Sequence, residues 1–456
     1  MLRNLLSVFL VLVLTTGVFA QVVPLKTLLS RTLRHAPSLH TDSAAVTIAN
    51  SREQAFYNVG LPNLRLNYQS NLGTNNNLPG GYFSFGIVPG NSRVRQAENT
   101  STVLSTLGIV AFDWELYNFG GFGAAKHVAQ ADVQTEQARY EQSKYEIQAK
   151  AIYYYFNLLM LRDLEKFQWR NIKRNQEIYR SIHSLAKSGI IAGVDTSTAK
   201  AELSRARQRY YELVGQYKKT QLHLANMSGL EADRIEPDTT YVSRMLAIPK
   251  PATVRQADTA LHPLLRYYSA RLLASNLQET FIRKSYHPKL SLQAALWGRG
   301  ASVDASDNFN ALHNGFDLSR SNYLVGLGVS YNVSDLWRKH LQLGVQRAAS
   351  RQAQARLSER RSMLDLDLKQ SVLELEVARQ RLEEIPEQLG AAQAAYRQKF
   401  SLYKNGLSNL VDLNAALFAL YRAETDLVNA RYAFCEAIFK RAVIENRVDE
   451  ILNLLN

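Results

Sequence analysis

The chain has 456 residues, 46% of them hydrophobic and 21% charged, and 54 Lys and Arg against 40 Asp and Glu give it a formal charge of +14. Its single cysteine, Cys435, excludes an intrachain disulfide framework and a cysteine-based metal site, and reads as a small buried hydrophobe in the run Tyr432-Ala433-Phe434-Cys435. The basic residues alternate with Glu and Gln along helical stretches instead of forming blocks, the pattern of solvated helix faces and not of a nucleic-acid surface.

Residues 1–20 have the layout of a secretory signal peptide: Arg3 near the start, an apolar stretch from Leu5 to Leu14, and Val18-Phe19-Ala20 ahead of Gln21. No cysteine follows that cleavage position, so no lipid tether is expected. No later window approaches the ~18 continuous apolar residues of a membrane-crossing helix. An exported chain of this kind is periplasmic, secreted or inserted as β-strands.

The remainder is a duplication. His35-Ala36-Pro37-Ser38-Leu39 recurs as Leu261-His262-Pro263-Leu264-Leu265, and Leu61-Pro62-Asn63-Leu64 recurs as His287-Pro288-Lys289-Leu290, both at an offset of 226. Ser188-Gly189 matches Asn405-Gly406 and Val194-Asp195 matches Val411-Asp412 at an offset of 217, which also aligns Phe112 and Trp114 with Val329 and Tyr331. The nine-residue difference falls between about 70 and 105, a Gly-, Asn- and Pro-rich loop.

The first repeat, 21–235, is expected to hold strands at about 61–73 and 102–116 and long helices at about 121–187 and 195–228. A linker at 236–251 leads to the second repeat, 252–456, with strands at about 288–299 and 322–334 and helices at about 339–404 and 411–452. Strict alternation defines the strands: Leu64, Leu66 and Tyr68; Val110, Phe112, Trp114 and Leu116; Leu290, Leu292, Ala294 and Leu296; Tyr323, Val325, Leu327, Val329, Tyr331 and Val333. Tyr68, Trp114, Trp297 and Tyr331, near strand ends, suit a membrane interface. Ala, Gln, Glu, Arg and Leu dominate the long segments, which favours helices on the order of 100 Å that pack as coiled coils. Pro386 is expected to kink or break the second of them. Tyr153-Tyr154-Tyr155-Phe156 is read as interhelical packing, and His183 and His223 as helix-surface residues.

Four amphipathic strands cannot close a barrel alone, because an open sheet in lipid leaves unpaired backbone groups at its edges. Two copies give a barrel filled by side chains, and three give twelve strands and a lumen. At this point the signal peptide, the strand-loop-strand insertions, the duplication and the turns Lys187–Asp195 and Tyr403–Asp412 together resemble the TolC-type outer membrane efflux proteins over essentially the whole mature chain.

That resemblance implies an α+β membrane protein built on a duplicated helix-strand-strand-helix-helix repeat. The family's homotrimer has a 12-stranded β-barrel continuous with a long α-helical periplasmic barrel, and the resemblance places the linker at 236–251 in its equatorial region. It sits in outer membrane lipid, extends into the periplasm, and meets a periplasmic adaptor and an inner-membrane RND, ABC or MFS pump in tripartite efflux or type I secretion. No enzymatic activity, cofactor, resident metal or nucleic acid partner is implied.

The resemblance also implies a periplasmic gate, in which Asp195 and Tyr403 match a hydrogen-bonded restraint and Asp412 an acidic ring that attracts cations. Ser408 stands where the family has an Arg, and Ala415 where it has an inner acidic ring, so a looser gate and a weaker cation site are expected. Asp195 and Asp412 also stand where a carboxylate caps a helix N-terminus, and Gly189 and Gly406 where turns need positive φ. The rival is a periplasmic helical scaffold or adaptor, which would explain the helices but not the paired alternating strands. An enzyme is a weaker rival, since no phosphate loop, His-rich metal spacing or nucleophile elbow is present.

Overall fold

The computed structural model describes residues 22–74, 76, 97–247 and 262–454. The signal peptide, most of the first long loop and the end of the linker lie outside the described residues. The chain forms two compact units, one comprising Met1–Thr47, Gln134–Arg271 and Ala353–Asn456, the other Ile48–Val133 and Leu272–Gln352.

In chain order the elements are β1 (Val22–Val23), α1 (Leu25–His35), α2 (Pro37–Tyr57), β2 (Asn63–Gly73), β3 (Val103–Tyr117), α3 (Gly121–Lys187) and α4 (Gly193–Ser228). Then come β4 (Glu236–Pro237), α5 (Thr240–Leu246), α6 (Pro263–Ser285), β5 (Lys289–Ala301), β6 (Arg320–Ser330), α7 (Asp335–Lys404), α8 (Leu410–Ile444) and α9 (Val448–Leu454). Pro37 and Pro263, repeat-mates at an offset of 226, each begin a helix, where a fixed φ helps and a missing N–H costs nothing. Among the described residues no helix is long and apolar enough to cross a membrane.

The first unit is helical, with a core that gathers most of its sequence. Val23, Leu25, Leu28 and Leu29 pack with Tyr155, Phe156, Leu158 and Leu159 of α3, Leu224 of α4, Tyr241, Val242 and Met245 of α5, Tyr432, Cys435 and Phe439 of α8 and Val448 and Leu452 of α9. Tyr155 is fully buried and its hydroxyl does two jobs: it donates to Val23 O at 2.9 Å and accepts from Asp238 N at 2.8 Å. It thereby ties β1 to the chain leaving β4, which pair in parallel through Val22↔Glu236 and Val23↔Pro237. Of the aromatic run, Tyr155 and Phe156 are core, Tyr154 stacks on the exposed His223, and Tyr153 is exposed. His183 is exposed on α3 and stacks on Tyr179. Burial pushes the Cys435 thiol up to about 12.

The second unit is built on one antiparallel sheet of order β2-β3-β5-β6. Pairs such as Leu66↔Val110, Phe112↔Ala294 and Leu292↔Leu327 put the alternating apolar residues of all four strands on one face. Every residue of β2 and of β6, the two edges, is exposed. Between β5 and β6 the chain returns so close to the sheet that a Cβ on Gly300 would lie 2.1 Å from Asp317 O and one on Gly315 2.3 Å from Leu104 O, so only glycine fits at either position.

Five sequence expectations need correction. The segment 236–247 is no linker, because β4 pairs with β1 and Tyr241, Val242 and Met245 of α5 enter the core. The last helix does not run from 411 to 452. It stops at Ile444, where Asn446 adopts φ 57° and Arg447 N bonds Ala442 O, a left-handed helix end built on Asn in place of Gly. The last strand ends at Ser330 and not near 334, because Asn332 Oδ1 accepts from Ser334 N (3.2 Å) and Ser334 Oγ (2.7 Å) and turns the chain into α7. Trp297 pairs with Ile109 and Asn322, so it lies on the face opposite Tyr68 and Trp114. Pro386 breaks nothing, since α7 runs through it.

Candidate functional site

The five residues singled out from the sequence, Gly189, Asp195, Tyr403, Gly406 and Asp412, all fall in the first unit, at the turn from α3 to α4 and the turn from α7 to α8. Both turns are Schellman motifs. Ile190 N bonds Leu185 O and Gly189 N bonds Ala186 O, each at 3.0 Å, and at an offset of 217 Leu407 N bonds Leu402 O (2.9 Å) and Gly406 N bonds Tyr403 O (3.1 Å). Gly189 and Gly406 carry φ of 72° and 71°, where a side chain would be strained.

The helices that leave these turns begin differently. Asn409 caps α8: its side chain accepts from Asp412 N at 2.8 Å. Its repeat-mate Ala192 occupies the same place ahead of α4 and offers no side-chain bond. Asp195 and Asp412 are therefore first-turn residues and not caps, placed where the helix dipole favours a negative charge. Asp412 also has a cationic partner. Lys399 Nζ donates to its Oδ2 at 2.8 Å, and this bond and the Lys399 charge hold the Asp412 carboxyl below the usual carboxylate range. Asp195 has neither feature, and among the described residues its carboxylate makes no hydrogen bond or ion pair.

Tyr403 is 6% exposed and belongs to an apolar cluster that draws on four helices: Ile178 and Ile182 of α3, Ala199 of α4, Tyr396 and Tyr403 of α7, and Leu410, Leu413, Leu417 and Leu420 of α8. Its hydroxyl is buried with no hydrogen-bond partner among the described residues, so it does not make the Asp195 bond implied by the family resemblance. Burial, and then the nearby Asp195 charge, push the hydroxyl's pKa up. An orphaned buried hydroxyl costs ~1–3 kcal/mol of lost hydration. Apolar packing, and not a polar tie, holds Tyr403 in place.

Two further features escape a reading by motif. Arg174 of α3 forks onto Glu424 of α8, with Nη1 to Oε1 at 2.9 Å, and the Glu424 side chain is 4% exposed. Nothing in the sequence links two residues 250 positions apart. The Lys399–Asp412 pair was legible in principle, because the two positions stand equally far on either side of the turn at Asn405-Gly406 and so face each other across an antiparallel helix pair. No cluster of metal-ligating side chains occurs among the described residues.

The sequence matches the family model described as outer membrane efflux protein over residues 28–230 and 256–438. Comparison with curated proteins gave no significant match. Among solved structures, the outer membrane protein VceC from Vibrio cholerae is similar at 16% identity, over 92% of this chain and 95% of that one, with a TM-score of 0.71. The Campylobacter jejuni outer membrane channel CmeC is similar at 13% identity over 95% and 89%, with a TM-score of 0.73. The open state of the Neisseria gonorrhoeae outer membrane channel MtrE is similar at 16% identity over 93% and 89%, with a TM-score of 0.67.

Proposed function

The chain belongs to the outer membrane efflux protein family and is an outer-membrane exit duct, and from that premise we propose that three copies close into one pore. The family is one of transport channels and not of enzymes. The single observation that carries the proposal is the sheet: four antiparallel strands, one continuous apolar face, and two edges with no strand partner among the described residues. Leu66 is 78% and Tyr323 82% exposed on that face, a surface that water disfavours and lipid accepts. Three sheets of four supply twelve strands, the smallest closed set with an aqueous lumen.

In this reading the long helices form a periplasmic tunnel that receives cargo from an adaptor and an inner-membrane pump. Asp195, Tyr403 and Asp412 lie at its gate. Tyr403 restrains the gate by packing, and Lys399 partly cancels the charge that each Asp412 would bring to a cation-attracting ring. Single-channel conductance of the purified protein in planar bilayers tests the proposal. Small, cation-selective currents are expected from the parent chain, and larger ones from Asp195→Ala combined with Tyr403→Ala. Silence from a folded trimer of both would sink the reading.

A further inference from the structure

The two hairpins of the sheet are one hairpin twice. Asn63↔Asp113 begins the β2–β3 ladder and Gly73↔Val103 ends it. Moved by the repeat offsets of 226 and 217, these pairs become Lys289↔Ser330 and Arg299↔Arg320, which begin and end the β5–β6 ladder. The remaining ladder, β3–β5, joins the second strand of one repeat to the first strand of the next. Its counterpart under the same offsets joins β6 to β2. Within one chain those strands are opposite edges of the sheet, three strand spacings or ~14 Å apart, so only the β2 of another copy can complete the pattern.

We propose that β6 of one chain pairs antiparallel with β2 of a neighbouring copy in the register that β3 and β5 already display within the chain. This rests on the closure by identical copies argued above, and adds which residues meet. Asp113↔Gln293 becomes Ser330↔Asn67, Phe112↔Ala294 becomes Val329↔Tyr68, Val110↔Leu296 becomes Leu327↔Ser70, and Gly108↔Gly298 becomes Val325↔Leu72.

The side chains agree with this register. It sets the apolar residues Val325, Leu327 and Val329 against even-numbered positions of β2, where Leu66, Tyr68 and Leu72 are found. A slip of one residue would set them against Asn67, Gln69 and Asn71 and break the lipid-facing surface. The polar face is matched too: Gln293 Nε2 donates to Asp113 Oδ2 at 3.2 Å, and Asn67 and Ser330, in the equivalent places, are again a hydrogen-bonding pair.

Disulfide mapping on the full chain tests the register. Cys435 is 0% exposed and does not interfere. In Ser330→Cys with Asn67→Cys, oxidation should give reducible dimers and a covalently closed trimer on denaturing gels. Pairing Ser330→Cys with Arg65→Cys or Gln69→Cys, displaced by two residues, should link at least about tenfold less, because diagonal neighbours are ~7–8 Å apart and disulfides favour shorter spans. Asp113→Cys with Gln293→Cys, the in-chain equivalent, should link within one chain and shows that the site accepts the bond. A displaced pair that links in place of the matched one, or no link at any pair in a particle with the native mass of three chains, would overturn the register and leave the closure by three copies standing. A native mass of one chain would remove both.

Discussion

The two helix turns of the repeat have the same backbone and different side-chain support. Each ends its first helix on a glycine at positive φ with the same pair of backbone bonds. Three substitutions then separate them. Where the second turn has Asn409 as a cap, Lys399 as a partner for Asp412, and Tyr403 in the cluster, the first has Ala192, Ile182 and Ala186. The second turn adds the polar contacts of Asn409 and Lys399 to its packing, whereas the first relies on packing through Ile182, which is 0% exposed. Duplication therefore preserved the part of the turn that the backbone dictates, and left the fastening free to diverge.

Substitutions that exchange these supports should separate the turns. The largest effect is expected at Ile182→Ala, which opens a cavity beneath the first turn and should cost ~2–5 kcal/mol, read as a lower denaturant midpoint. Lys399→Ala, its repeat-mate, removes only a half-exposed ion pair and should leave that midpoint nearly unchanged. If Lys399→Ala cost as much as Ile182→Ala, the distinction between packed and polar support would be lost. Next in size is the cap. Asn409→Ala should loosen the second turn and Ala192→Asn should tighten the first, each by ~0.5–2 kcal/mol, seen as roughly 2- to 30-fold faster or slower amide exchange in the first turn of the following helix.

The smallest effect depends on pH. The Asp412 carboxyl is held below its ordinary value of 3.8 by Lys399, so the folded state binds this proton less readily than the unfolded one. Its contribution is present above that ordinary value and is lost as the pH falls through the lowered folded value. A small thermal-stability advantage of the parent over Lys399→Met should therefore exist at pH 6 and vanish in strong acid. An advantage that survived in acid would have to come from packing of the lysine stem.

Much of this was readable from the sequence because it repeats. Alternation marked the apolar face of each strand, and the constant offsets found both glycine turns without any structure. Asp195 and Asp412 each follow a turn and precede a long helix, the place where a sequence pattern leads one to expect a cap. The caps lie three residues earlier, at Ala192 and Asn409, since Gly193 and Leu410 already have helical backbone. Asn446 hid a helix end within an otherwise helix-favouring run, because Asn tolerates the left-handed conformation without announcing it as Gly does. Arg174 and Glu424 are brought together only by the packing of α3 on α8, and no local pattern encodes that meeting.

The core of the first unit sets an order on the life of the chain. Val23 and Leu452 belong to the same cluster, and Tyr155 cannot satisfy its hydroxyl until both Val23 and Asp238 are in place. Contacts between such distant positions form late, since the entropy of closing the intervening loop must be met before they contribute. A chain emerging from its export machinery N-terminus first would have its first core helix, α1, waiting for its main partner, α4, until Leu224 had crossed. During that interval Leu25, Leu28 and Leu29 would be open to any other sticky surface, which makes the passage across the inner membrane, more than the finished duct, the stage at which this protein most needs protection.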